Sequence, residues 1–292
     1  QLKSKKSLRP HQVAALKAVQ EGLEHADRGK LIMACGTGKT FTALKMAEKM
    51  AGVGKRVLFL VPSLSLMSQT ITEWTAETET PLHSFAVCSD AQVGKRKESD
   101  DLSDITIHDL AYPATTNAEK LAAKCSVHDD AMMVIFSTYQ SIQVISDAQQ
   151  EHGLPEFDLI ICDEAHRTTG ATLAGADESN FVKIHDNGFI KGNKRIYMTA
   201  TPRIFSDTVK TKANEVDATL ASMDDPELYG ETLFELNFSY AVQNGLLTDY
   251  KVIVLAMDES IVSESMQKRF TVIDNDFLFV DITIIIRCYK AM

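Results

Sequence analysis

Two clusters of side chains carry the chemistry legible in this chain. The first is Met33-Ala34-Cys35-Gly36-Thr37-Gly38-Lys39-Thr40, a loop of small residues ending in Gly-Lys-Thr. Opening a helix, such a loop aims backbone N–H groups and the Lys39 ammonium at phosphate oxygens, and places the Thr40 hydroxyl within reach of Mg²⁺. The strict Gly-x4-Gly-Lys-Thr pattern fails at its first position, where Met33 stands. Ala34 and Gly36 nevertheless keep the loop small, and Gly38 permits the turn that points the helix amides inward. The second cluster, Asp163-Glu164-Ala165-His166, follows an apolar run. Asp163, at the end of a buried strand, is expected to hold the metal, and Glu164 to orient or deprotonate an attacking water. Lys39 is expected on the β- and γ-phosphates. His166 reads either as a structural hydrogen-bonding residue or as a link from the nucleotide to another segment.

The elements that must position these groups follow from the hydrophobic pattern. Short β-rich apolar runs alternate with segments of helical spacing, which predicts an α/β fold with a mostly parallel sheet flanked by helices. Strands are expected at 30–33, 56–61, 83–88, 132–137, 159–162 and 195–198, with helices at 10–25, 39–50, 64–77, 118–124 and 139–147. Ligands of such sheets collect beyond the carboxyl ends of the strands, where Gly36, Ser63, Thr138, Asp163 and Thr199 all fall. Residues 89–117 are polar, include Gly94-Lys95-Arg96-Lys97, and read as a long loop or insertion. Residues 205–231 read as helix-prone, 238–243 as a helix closed by Asn244-Gly245, and 250–257 as a strand. A further apolar segment covers 277–286.

At 292 residues with 45% hydrophobic content the chain suits one large or two modest globular domains. A net charge of −10 gives no whole-chain basic signature, so any nucleic-acid contact must come from a local stripe of Lys, Arg and amides. The five cysteines, Cys35, Cys88, Cys125, Cys162 and Cys288, lack the spacing of a zinc site or disulfide framework and suit a reducing cytoplasm. The segment after Gln1 is too polar for a signal peptide, and no apolar run is long enough to cross a bilayer. The chain is expected to be a piece of a longer protein.

The order of these segments resembles superfamily 2 helicases and translocases of the DEAH-box kind, over residues 8–257, and so implies a RecA-like P-loop NTPase lobe. Leu8-Arg9-Pro10-His11-Gln12 is similar to the adenine-recognition segment, with Gln12 reading the base edge and Arg9 supporting it; taken alone it is a proline-started helix. Residues 34–40 resemble the phosphate-loop motif, which implies nucleotide contacts from Cys35, Gly36, Thr37, Gly38, Lys39 and Thr40. Pro62-Ser63 and Thr138-Tyr139-Gln140-Ser141 resemble segments that contact a nucleic-acid strand. Ser63, Thr138 and Ser141 read equally as caps or turn residues, and Trp74 and Tyr139 either stack on bases or belong to the core. Thr199-Ala200-Thr201-Pro202-Arg203 resembles the coupling motif, which implies that Thr199, Ala200 and Thr201 connect nucleotide state to lobe movement. ATP and Mg²⁺ are the implied cofactors, with Lys39, Asp163, Glu164 and His166 catalytic and Thr40 and Asp163 on the metal.

Residues 157–170, with 174–179 and 197–203, narrow the resemblance to the motors of type ISP or type I bacterial restriction-modification enzymes. DNA is then the implied partner, with a nuclease, a methyltransferase and a target-recognition domain elsewhere in the intact protein. Residues 1–247 are expected to form the N-terminal lobe, and 248–292 a linker and the truncated start of a second lobe. Efficient hydrolysis is expected to need the second lobe's arginines. A non-hydrolysing ATP-binding switch or docking module is a second reading. An RNA helicase lobe is a third, because phosphate-tracking segments do not report the sugar.

Overall fold

The computed structural model describes residues 4–88, 114–125, 130–173, 179–215 and 218–248. Helix α1 (Pro10–His25) leads into β1 (Arg28–Met33), α2 (Lys39–Met50), β2 (Arg56–Val61), α3 (Leu64–Glu77) and β3 (Leu82–Val87). The two-residue β4 (Ala114–Thr115), α4 (Ala118–Cys125), β5 (Met132–Thr138), α5 (Ile142–Glu151) and β6 (Phe157–Cys162) follow. The remaining elements are β7 (Gly170–Leu173), β8 (Gly192–Thr199), α6 (Asp207–Glu215), β9 (Ala218–Ala221), α7 (Pro226–Tyr229), β10 (Glu231–Leu236) and α8 (Phe238–Gln243).

Eight strands pair in parallel in the order β10-β1-β8-β6-β2-β5-β3-β4, and β7 and β9 form a separate antiparallel pair. Both faces of the large sheet are covered, which is why its central strands read as continuous apolar runs. Val57, Phe59 and Val61 of β2 face the core shared with α1, α2 and α3, while Leu58 and Leu60 face the core shared with α4 and α5. This is the two-residue alternation of a strand. Trp74 of α3 is completely buried and meets Phe59 and Phe136 edge-on, with ring centroids 5.1 and 5.4 Å apart. Its indole is therefore core and offers no face to a base.

The structure departs from the sequence expectation in the segment read as helix-prone, 205–231, where β9 stands between α6 and α7 and β10 begins at the last residue. Strand β10, Glu-Thr-Leu-Phe-Glu-Leu, lies at a sheet edge and is largely exposed, so its composition lacks the apolar run that marks the inner strands. Pairing with β1 makes it a strand. The expected helix from residue 139 begins instead with a 3-10 turn, Tyr139–Ser141, before α5. Residues 89–113, including the basic run 94–97, and the segments 250–257 and 277–286 lie outside the described residues. By contact density the chain divides into one unit over 1–247 and another over 248–292. Among the described residues no helix is long and apolar enough to cross a membrane.

Candidate nucleotide site

The phosphate loop hangs between the end of β1 and the start of α2. Its first amide, Ala34 N, donates to Leu236 O of β10 across 2.9 Å, so the neighbouring edge strand anchors the loop. Thr37 Oγ1 closes a tight turn onto Ala34 O at 2.7 Å. Gly36 and Gly38 take left-handed backbone angles, φ 81° and 87°, which only glycine adopts cheaply. Gly38 caps α2 without a side-chain hydrogen bond, leaving the helix's first-turn amides directed at whatever the loop holds. Lys39 Nζ donates back to Met33 O at 3.2 Å and lies 4.0 Å from Cys35 Sγ.

Helix α1 braces this loop. Gln12 Oε1 accepts from Arg9 N at 2.9 Å and Gln12 Nε2 donates to Gly38 O at 3.2 Å, while His11 Nε2 lies 2.9 Å from Thr37 O. The Gln12 amide, expected on a base edge, is thus engaged with the loop backbone. It still borders a cavity of about 370 Å³, lined also by Lys6, Ser7, Arg9, Phe41 and Glu73. From the opposite side Trp74 Nε1 donates to Thr40 O at 3.1 Å. The sequence assigns His11 no role of its own and leaves Trp74 between base stacking and the core, and nothing in their local pattern marks either as a brace.

Across the rim, β6 delivers the acid pair. Asp163 N donates to Leu60 O of β2, and Glu164 N donates to Asp163 Oδ1 at 3.0 Å. Among the described residues Glu164 is the single non-glycine residue with positive φ, 49°, a conformation that costs roughly 1 kcal/mol and persists where the surroundings over-determine it. Burial, followed by repulsion from Glu164, pushes the Asp163 carboxyl up to about 6, and Lys39 opposes the shift. The two clusters are therefore within electrostatic reach of each other. His166 Nδ1 sits 3.3 Å from Glu164 Oε2 and 3.1 Å from Thr199 Oγ1 at the end of β8. Burial holds the imidazole below its ordinary pKa despite the carboxylate beside it. Thr199 also accepts from Thr201 N at 3.2 Å; Ala200 is half-buried and Thr201 exposed.

The segments expected on a nucleic-acid strand lie at the ends of adjacent strands, with Val61 of β2 in register with Thr138 of β5. Several of their side chains point inward. Thr138 Oγ1 and Ser141 Oγ pair at 3.0 Å, and both residues are buried. Tyr139 is wholly buried, its ring stacked on Phe181 and its hydroxyl donated to Asp163 O at 2.8 Å, so it presents nothing to a base. Pro62 is buried; its carbonyl accepts from Gln140 Nε2 at 3.4 Å. Ser63 caps α3 by accepting from Leu66 N at 3.3 Å and remains half-exposed, as does Gln140.

This donor set can hold a phosphate chain with a hard cation beside it. Among the described residues no group of three or more His, Cys, Asp and Glu side chains could form a metal cage. One hydroxyl, Thr40, and one carboxylate, Asp163, could serve as sparse oxygen ligands of the kind that Mg²⁺ takes when phosphates supply others.

Residues 5–204 match the family described as type III restriction enzyme, res subunit. A probable helicase of African swine fever virus (isolate Pig/Kenya/KEN-50/1950), A859L, is 29% identical over 80% of this chain and 22% of its own length. The Escherichia coli type I restriction enzyme EcoAI endonuclease subunit is 24% identical over 87% of this chain and 25% of its own. Among solved structures, the ATP-dependent type ISP restriction-modification enzyme LlaBIII bound to DNA is 43% identical, with a TM-score of 0.70 over 92% of this chain and 17% of that one. A nuclease-deletion mutant of the type ISP enzyme LlaGI, in complex with a DNA substrate mimic, is 41% identical, with a TM-score of 0.63 over 82% and 21%. The chain spans no more than about a quarter of the length of these relatives.

Proposed function

The chain belongs to the family of type III restriction enzyme res subunits, and on that premise we propose that it is the N-terminal motor lobe of an ATP-dependent DNA translocase in a bacterial restriction-modification enzyme. The observation that carries the reading is the meeting of three parts on one sheet rim. The phosphate loop, the acid pair with its His166 bridge to Thr199, and the paired segments at Pro62 and Thr138 all project from the carboxyl ends of parallel strands.

In this reading Lys39 and the amides at the start of α2 bind the β- and γ-phosphates of ATP, and Arg9, Gln12 and Phe41 border the space for its base. Thr40 and Asp163 would hold Mg²⁺, which when bound would supply neutralisation of phosphate charge. Glu164, carried on its left-handed turn, orients the attacking water. DNA phosphates meet half-exposed Ser63 and Gln140 and nearby amides rather than the buried Thr138, Tyr139 and Ser141 side chains. Residues 1–247 act as one lobe, and 248–292 lead toward a second whose arginines complete the site.

The test is made in the full-length parent enzyme. Lys39→Ala should abolish ATP binding, and Glu164→Gln should retain it while losing DNA-stimulated hydrolysis. Full DNA-stimulated ATPase in both variants would falsify the site assignment. Assays with duplex DNA, single-stranded DNA and RNA separate the alternatives: stimulation by RNA alone selects an RNA helicase, and ATP binding without turnover on any of them selects a switch module.

A further inference from the structure

The Tyr139 hydroxyl bond joins two parts of the rim that the sheet order keeps apart. Strand β5, which ends at Thr138, is separated from β6 by β2. From the residue after β5, the Tyr139 side chain passes beyond the end of β2 and donates to the carbonyl of Asp163, just past β6. The Asp163 backbone is then held on both sides, its N–H by Leu60 O and its C=O by Tyr139. That carbonyl belongs to the planar peptide whose other end is Glu164 N. Fixing it restricts the plane from which the left-handed φ of Glu164 is set.

The phenol is itself rigidly placed. Its ring stacks on Phe181 with centroids 5.1 Å apart, and complete burial keeps the hydroxyl protonated and a donor. The turn that carries it is clamped by Asn180 Nδ2 to Gln140 O, 2.9 Å, and by Gln140 Nε2 to Pro62 O. Gln140 and Ser63, the half-exposed members of the proposed strand-contacting rim, thus connect through one side chain to the acid turn.

We propose that Tyr139 is a positioning residue for hydrolysis: its hydroxyl holds the Asp163–Glu164 peptide in the geometry that aims Glu164, and ties that geometry to the strand-contacting turn. The inference rests on the reading of Glu164 as the water-orienting group. Tyr139 contacts neither nucleotide nor water in this role.

Tyr139→Phe in the full-length enzyme keeps the ring and deletes the bond. The DNA-stimulated kcat should fall roughly tenfold to a hundredfold, the loss expected from misplacing a catalytic group by a fraction of its length. KM for ATP and the affinity for a non-hydrolysable ATP analogue should stay within about twofold. A kcat for Tyr139→Phe equal to the parent's, or an equal loss of analogue binding, overturns the proposal, the latter by showing a merely structural role. Glu164→Gln run in parallel separates the two readings. If it retains full turnover, the acid pair is misassigned; if it is inactive while Tyr139→Phe is normal, only the positioning role fails.

Discussion

His166 Nδ1 lies 3.1 Å from Thr199 Oγ1 and 3.3 Å from Glu164 Oε2, so a single imidazole connects the acid turn to the end of β8. The Thr199 hydroxyl proton is directed at Thr201 O, 3.2 Å away, which leaves its oxygen to accept from His166.

His166→Ala and Thr199→Ala should act on the same step. Each is expected to lower DNA-stimulated turnover by roughly tenfold with ATP affinity little changed, and the double variant should be no worse than the poorer single one. Steady-state ATPase assays on the full-length enzyme decide it. Fully additive losses would mean that the two side chains act independently.

Trp74 is the chain's single tryptophan, and its indole N–H donates to Thr40 O in the first turn of α2. Binding of Mg-ATP to that turn should therefore change the intrinsic fluorescence. A titration of this 292-residue chain should saturate, and one of its Lys39→Ala variant should stay flat; an unchanged signal in a chain shown to bind ATP would disconnect Trp74 from the loop.

Gly230 turns the chain into β10 with φ 69°, and a Cβ there would run into the Arg28 carbonyl. Its own carbonyl accepts from the buried Lys30 Nζ at 2.6 Å. Gly230→Ala should cost about 2–4 kcal/mol, from left-handed strain and a backbone clash together. Because β10 carries the Leu236 carbonyl that anchors Ala34, ATP affinity should fall as well. Denaturant melts and analogue binding measure the two effects, and a variant as stable as the parent would count against the packing argument.

Two buried groups make opposite contributions to stability against pH. Asp163, raised from 3.8 to about 6, takes up a proton more readily when folded; its contribution is full below about pH 3.8 and is lost as pH rises through 6. His185, lowered by burial from 6.5 to about 4, contributes fully above about pH 6.5 and loses that contribution as pH falls through 4. Between pH 4 and 6 the two slopes oppose each other, each at most about 1.4 kcal/mol per pH unit. In metal-free buffer, the parent's stability relative to Asp163→Asn should decline with rising pH across this window. Relative to His185→Gln it should increase. Slopes of the reverse sign would show that the burial argument is wrong.

Much of the inner fold was legible because its cause is local. The expected strands at 56–61 and 159–162 and helices at 10–25, 39–50 and 64–77 coincide with β2, β6, α1, α2 and α3 to within two residues. Double-sided burial writes a continuous apolar run, and helix periodicity writes a stripe. Strand β10 was not legible, since its mixed, largely exposed run of Glu, Thr, Leu and Phe gains strand character from the pairing of Met33 with Leu236. The sequence left Tyr139 between base stacking and the core for a related reason. Its neighbours in sequence suggest a polar turn at a ligand rim, but its ring direction depends on Phe181 and Asp163, which lie far along the chain.

By itself the sequence determined which residues bear the candidate chemistry, because a phosphate loop and an acid pair are each encoded in a few consecutive positions. It also determined the order of strands and helices that carries them to one rim. Tertiary structure alone decided which of these groups face outward and which brace one another. It turned the Gln12 amide onto Gly38, buried Thr138 and Ser141 against each other, and set Trp74 and Tyr139 as supports behind the loop and the acids. Those outcomes depend on satisfying buried polar groups with partners distant in the chain, and no local pattern of residue types records where such partners will be found.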